Sequence, residues 1–100
     1  MDARAALRSP ARGVLCDRFI CADDHGVSVA LTSKFVDTKA AARLRSQGDF
    51  DRTAFTFANG VFCDVKERLC RIARYYDAEG NRSAVTTRYT ELLFGRPPAQ

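Results

Sequence analysis

The sequence predicts an α+β domain: an antiparallel β-sheet built from hairpins, with two short helices on one face. Three observations lead there. Residues 53–57 and 61–65 are β-rich runs joined by Ala58-Asn59-Gly60, the composition of a three-residue hairpin loop whose last position is left-handed. Two stretches, 38–47 and the residues after Thr87, carry helix-spaced apolar side chains between cap residues. The word Gly-Val-x-Cys-Asp occurs twice, as Gly13-Val14-Leu15-Cys16-Asp17 and Gly60-Val61-Phe62-Cys63-Asp64.

Taken in chain order, residues 1–12 hold three arginines and no apolar stretch of the kind a signal peptide needs. They read as a disordered lead-in ended by Pro10 and Gly13, so an exported protein would be present here in its mature form. A single domain then runs over 13–95, followed by a C-terminal tail over 96–100. Cys16 is placed opposite Cys21 across Asp17-Arg18-Phe19-Ile20, and a further strand is expected over 27–31. Residues 38–47 form the first helix, with Asp37 as N-cap, Gly48 as stop, and Val36, Ala40, Ala41 and Leu44 on one stripe. In the central hairpin a three-residue loop sets Phe57 against Val61 and Phe55 against Cys63. Phe55, Phe57, Val61, Cys63 and Val65 then share one face, whereas a two-residue loop would split them. Residues 69–76 form the next strand and bring Cys70 near Cys63. Thr87 caps the last helix, which presents Tyr89, Leu92 and Leu93 and ends at Gly95 and Pro97-Pro98.

The repeated word suggests a ββα-type pseudo-repeat. Each copy is followed by a second cysteine, an acidic-Gly turn and a basic-aromatic pair, Lys34-Phe35 or Arg88-Tyr89, at offsets drifting from 47 to 54 residues. Two such units would share a core that neither could bury alone.

The four cysteines, Cys16, Cys21, Cys63 and Cys70, read as structural disulfides of an oxidising compartment. The C-x4-C and C-x6-C spacings and the single His25 fit a zinc site poorly. Three connectivities are open, and local pairing across each hairpin is favoured. No run of the sequence reaches the roughly 18 apolar residues of a membrane helix. The net charge of +4 is spread evenly, with eight basic and six acidic residues in each half, which argues against nucleic acid as partner.

Catalytic constellations are wanting. His25 could pair with Asp23 or Asp24, but it lies in a turn, and Ser28 has neither a nucleophile-elbow context nor a triad. No cofactor motif is present. Asp77, Glu79, Asn81 and Ser83 alternate as calcium-loop ligands would, yet Arg82 stands where the sharp turn wants Gly and Arg88 where a bidentate Glu is needed. A polar hairpin turn is the better reading. Among the ten aromatic residues, Phe19, Phe35, Phe55, Phe57 and Phe94 are expected in the core. Phe62, Arg71, Arg74, Tyr75 and Tyr76 form a candidate partner surface, since Tyr and Arg favour interfaces.

The blocks Gly13-Val14-Leu15-Cys16-Asp17, Leu31-Thr32-Ser33-Lys34-Phe35, Phe55-Thr56-Phe57-Ala58-Asn59-Gly60-Val61-Phe62-Cys63-Asp64 and Leu92-Leu93-Phe94-Gly95 resemble the Fels prophage protein-like family. These are small exported proteins of Gram-negative bacteria related to YcgJ. The resemblance spans about residues 13–95 and implies a cleaved signal peptide and a periplasmic setting. It implies no activity and carries over no catalytic residue. The expectation is therefore a monomeric, non-enzymatic periplasmic module that binds a protein or an envelope component, an inhibitor of a hydrolase being one version. The alternative is a small-ligand or metal-ion binder using the Asp23–Gly26 and Asp77–Ser83 turns.

Overall fold

The computed structural model describes residues 7–48 and 51–95. Strands β1 (Leu15–Cys16), β2 (Cys21–Asp23) and β3 (Gly26–Val27) form one antiparallel sheet, in that order. Helices α1 (Val29–Phe35) and α2 (Thr38–Ser46) follow, and β4 (Ala54–Thr56), β5 (Phe62–Asp64) and β6 (Leu69–Arg71) form a second three-stranded sheet. Helix α3 (Thr87–Phe94) closes the described chain. The α+β class stands, with two small sheets in place of one and three helices in place of two.

The additional helix is α1, which begins where a strand over 27–31 was expected. Capping chemistry overrides the local β-preference of Val27 and Val29. The Ser28 hydroxyl accepts from the Leu31 N–H, the arrangement that satisfies an orphan donor of the first turn. One turn on, the Thr32 hydroxyl donates to the Ser28 carbonyl and accepts from the Cys21 N–H. Thr32 is fully buried, and its hydroxyl fastens the helix to β2.

The central hairpin follows its expected register. Phe55 pairs with Cys63, the Phe57 N–H donates to the Val61 carbonyl, and Gly60 is left-handed with φ 94°. Phe55 and Phe57 meet edge to face at 5.4 Å in a core that joins Leu15, Val27, Leu44 and Leu93. Expected helix 38–47 is α2, capped by Asp37 through the Ala40 N–H, with Ala40, Ala41 and Leu44 buried. The last helix is capped by Thr86, one residue before the expected Thr87. Pro97-Pro98 and the rest of the tail lie outside the described residues, as do residues 1–6 of the lead-in.

Four further expectations are corrected. The lead-in belongs to the domain from Leu7 onward: Leu7 is buried, its N–H donates to the Tyr89 hydroxyl, and Arg8 bridges Cys16. The strand expected over 69–76 ends as β6 at Arg71. Phe19 is 49% exposed, because Asp17 Oδ1 accepts from the Phe19 and Ile20 N–H groups and folds a tight turn that tips Phe19 outward. The pairing of Lys34-Phe35 with Arg88-Tyr89 also fails, since the former closes α1 and the latter opens α3.

The duplication itself is visible bond by bond. Arg8 bridges Cys16 as Phe55 pairs with Cys63. Asp64 Oδ1 accepts from the Lys66 and Glu67 N–H groups, as Asp17 does from its own turn. Cys70 N–H donates to the Thr90 hydroxyl and Thr86 N–H to the Cys70 carbonyl. Cys21 stands in the same relation to Thr32 and Ser28. In both copies the cap and the threonine that binds the second cysteine lie four residues apart, as Ser28 and Thr32 or Thr86 and Thr90. Helix α2 and the long connection between β6 and α3 are the elements that break the repeat.

Asp17 also joins the copies, because its Oδ2 accepts from the Ala58 N–H at 2.6 Å. Replacing Asp17 by Ala strands three backbone donors, one of them in the other copy. Asp17→Ala is expected to cost about 1–3 kcal/mol, seen as a melting point lowered by about 4–8 °C per kcal/mol in a domain this size. Asp64→Ala, which strands only exposed amides, is expected to cost less than half as much.

Candidate functional site

Each copy pairs its second cysteine strand with the segment that leads into its helix. In the first copy Ala22 pairs with Val27 across residues 23–26. In the second, Arg71 pairs with Val85 across residues 72–84. This longer connection is a hairpin arm. The Ile72 N–H donates to the Ala84 carbonyl, Tyr76 bridges Arg82, and the Asp77 N–H donates to the Asn81 carbonyl at the tip. Ser83 Oγ accepts from the Ala73 N–H and donates to the Ala73 carbonyl, lacing the two strands together.

The arm carries most of the large apolar side chains exposed among the described residues. Ile72, Tyr75 and Tyr76 are 59%, 73% and 62% exposed, and Val85 at its base is exposed as well. Phe19 is the remaining large apolar residue among those so exposed. Arg74 lies with its guanidinium 6.0 Å from the Phe62 ring centroid, and Arg82 lies 5.9 Å from that of Tyr76. A guanidinium stacked on a ring keeps its N–H edge available to an anionic partner.

Three of the five residues expected to form a partner surface, Arg74, Tyr75 and Tyr76, therefore stand exposed on the arm. Phe62 is half-buried beneath Arg74. Arg71 is half-buried too, and its Nη1 donates to the Ser83 carbonyl at 2.7 Å, so it anchors the arm at its root. Arg82, Ile72 and Val85 were not singled out from the sequence. Their signal lay in the offset between the copies, which is 49 residues at Cys21 and Cys70 but 58 at the helix caps Ser28 and Thr86.

Glu67 braces the arm from the β5–β6 turn, its Oε2 accepting from Arg82 Nη1 at 2.7 Å. That hydrogen bond, with the Arg82 charge behind it, holds the Glu67 carboxyl below its ordinary 4.5. A carboxyl lowered on folding adds stability above its unfolded pKa and loses it as pH falls through the folded one. The brace is thus intact at neutral pH and is lost as pH falls through the lowered folded value. A ¹³C titration of the Glu67 carboxyl is expected to give a midpoint under 4.5, and Arg82→Gln to raise it.

The alternating oxygen residues of the arm do not converge. Asp77 Oδ1 accepts from the Glu79 and Asn81 N–H groups of its own turn, and Ser83 Oγ is held by Ala73. Among the described residues no group of three His, Cys, Asp or Glu is arranged to hold a metal ion. In the other turn Asp23 Oδ1 accepts from the His25 N–H. The His25 side chain is 88% exposed, 3.6 Å from Asp24, while the nearby Ser28 hydroxyl is committed to capping α1.

The cysteines pair locally, Cys16 with Cys21 and Cys63 with Cys70, and all four are fully buried. Cα separations of 4.1 and 4.0 Å place each pair directly across adjacent antiparallel strands at a position without ladder hydrogen bonds. The two bridges suit an oxidising compartment. No helix among the described residues is long and apolar enough to cross a membrane.

Comparison with known proteins places this geometry in context. The model of the YcgJ protein family matches residues 7–94. The uncharacterized protein YcgJ of Escherichia coli (strain K12) is 51% identical over 89 residues, covering 88% of this chain and 73% of that one. No solved structure matches the chain.

Proposed function

The chain belongs to the YcgJ family, and from that premise we propose that it is a non-enzymatic, disulfide-stapled binding module of the periplasm. It engages another protein or an envelope component through the arm. The observation that carries this reading is the concentration of exposed Ile72, Tyr75 and Tyr76 beside Arg74 and Arg82 on the one hairpin that the first copy lacks. Exposed aromatic and Arg residues in one patch are the composition of binding hot spots. A loop held on a rigid scaffold is where such residues accumulate.

Photo-crosslinking in periplasmic extract tests the reading. A crosslinker placed at Tyr75 should capture a discrete partner, and a Tyr76→Ala, Arg74→Ala variant should lose it. The same probe at Ala42, on the exposed side of α2, should capture nothing specific. Equal capture from both positions would contradict the proposal.

A further inference from the structure

The second sheet has an open edge, and it faces a cleft. Strand β4 pairs with β5 on one side only. The Val65 N–H donates to the Thr53 carbonyl and the Phe57 N–H to the Val61 carbonyl, so odd-numbered residues of this strand turn their main-chain groups toward β5. By the alternation of an antiparallel ladder, the N–H and C=O groups of Ala54 and Thr56 turn away from it. The chain before β4 is joined to the first sheet by a bond from the Val27 N–H to the Arg52 carbonyl at 2.9 Å.

Beside this bond lies a cleft of about 330 Å³, at the lower end of the range for ligand cavities. Ala54 and Thr56 line it, Ile20, Val27 and Leu44 supply apolar surface, and Arg74 contributes to the lining. Asp51 also lines it, with Oδ1 accepting from the N–H and hydroxyl of Thr53. Arg74 has its ring contact with Phe62 and no carboxylate partner among the described residues. Both elements that break the internal repeat, α2 through Leu44 and the arm through Arg74, reach this cleft.

We infer that the β4 edge is a docking site for an extended peptide segment of a partner protein, added as a fourth strand. The main chain of the segment bonds to Ala54 and Thr56. One apolar side chain enters the cleft, and an acidic residue beside it meets Arg74. This is strand addition to an exposed sheet edge, where main-chain bonds give affinity and a side-chain pocket gives selectivity. The inference rests on the reading of the chain as a protein-binding module and names the kind of partner surface it takes.

The probe is the capped peptide acetyl-Glu-Val-Thr-Val-Glu-amide, titrated into the oxidised ¹⁵N-labelled protein and followed by NMR. Its binding should move the Ala54 and Thr56 amides and protect them from exchange. A version N-methylated at alternate amides should bind at least about tenfold more weakly, as should a version with Lys at both Glu positions. Thr56→Pro removes the outward donor from an edge position that tolerates proline and should weaken the parent peptide to the same degree while the melting point stays close to wild type. In the unbound protein the Ala54 and Thr56 amides should exchange at least about tenfold faster than those of Phe57 and Val65.

Equal protection of all four amides would overturn the open edge. Undiminished binding by the N-methylated peptide or by Thr56→Pro would overturn strand addition, as would the absence of peptide binding at millimolar concentration. If octanoate moves the Val27 and Leu44 methyl groups while no peptide moves the Ala54 and Thr56 amides, the cleft takes a small apolar anion instead. A partner crosslinked at Tyr75 but unaffected by Thr56→Pro would refute this inference and leave the arm reading standing.

Discussion

Removing both disulfides is expected to cost about 4–5 kcal/mol, enough to unfold a domain at the lower end of natural stability. The bridges close short loops, with sequence separations of 5 and 7, for which loop-closure entropy gives about 2–2.5 kcal/mol each. Losing both costs about 4–5 kcal/mol, against a total of roughly 5–15 kcal/mol for a natural domain. The sulfur atoms are also packing material. All four cysteines are fully buried, and Cys63 and Cys70 lie in the main cluster with Phe57 and Leu93. Urea unfolding of the Cys63→Ala, Cys70→Ala protein should show about half the loss seen when all four cysteines are replaced. A fourfold variant within about 1 kcal/mol of wild type would mean that the core holds without its staples.

The second large effect is expected at Gly26. Its φ is +122°, and a Cβ built there would lie 2.1 Å from the Arg52 carbonyl oxygen. Backbone atoms cannot yield as a flexible side chain does. Gly26→Ala must therefore push the first sheet away from the segment leading into β4 and break the bond from the Val27 N–H to the Arg52 carbonyl. Strain at positive φ of about 1–2 kcal/mol and a lost hydrogen bond of about 1 kcal/mol add to a cost of about 2–3 kcal/mol. Gly13→Ala separates the two contributions, since Gly13 also has positive φ but no atom within 4 Å of its Cβ position. It should cost only the strain. Thermal unfolding of the two variants side by side reads the difference.

Much of this architecture was legible in the sequence because it rests on local chemistry. The three-residue loop at Ala58-Asn59-Gly60 fixed the register of the central hairpin. Register then fixed which cysteine faces which. The cap and small-residue stripe of α2 were equally readable. What escaped was decided by longer contacts. Val27 and Val29 favour a strand, but the pairing of Thr32 with the Cys21 N–H makes residues 29–35 a helix. Leu7 and Arg8 carry no strand signal, and they join the fold because Cys16 and Tyr89 offer partners.

The candidate site was half legible. Composition marked Arg74, Tyr75 and Tyr76, but it also grouped them with Arg71 and Phe62, which hold the base of the arm. Sequence adjacency could not separate a residue that presents the arm from one that anchors it. The hydrogen bond from Arg71 to the Ser83 carbonyl does. The repeated word pointed to a duplication, while its drift concealed the arm, because the basic-aromatic pairs lie at different depths in their helices. Thr32 and Thr90, each four residues past a capping hydroxyl and bonded to the second cysteine of its copy, mark the true alignment.

The central claim is that two stapled copies make the fold and that the arm is an addition the fold does not require. Replacing residues 72–84 by the Asp-Asp-His-Gly connection of the first copy tests it most directly. Thermal unfolding of that variant under non-reducing conditions should show one cooperative transition within about 8 °C of wild type, the effect of losing about 1 kcal/mol of arm contacts. An unfolded chain, or a melting point lowered by more than about 20 °C, would show that the arm is part of the core structure and contradict the account.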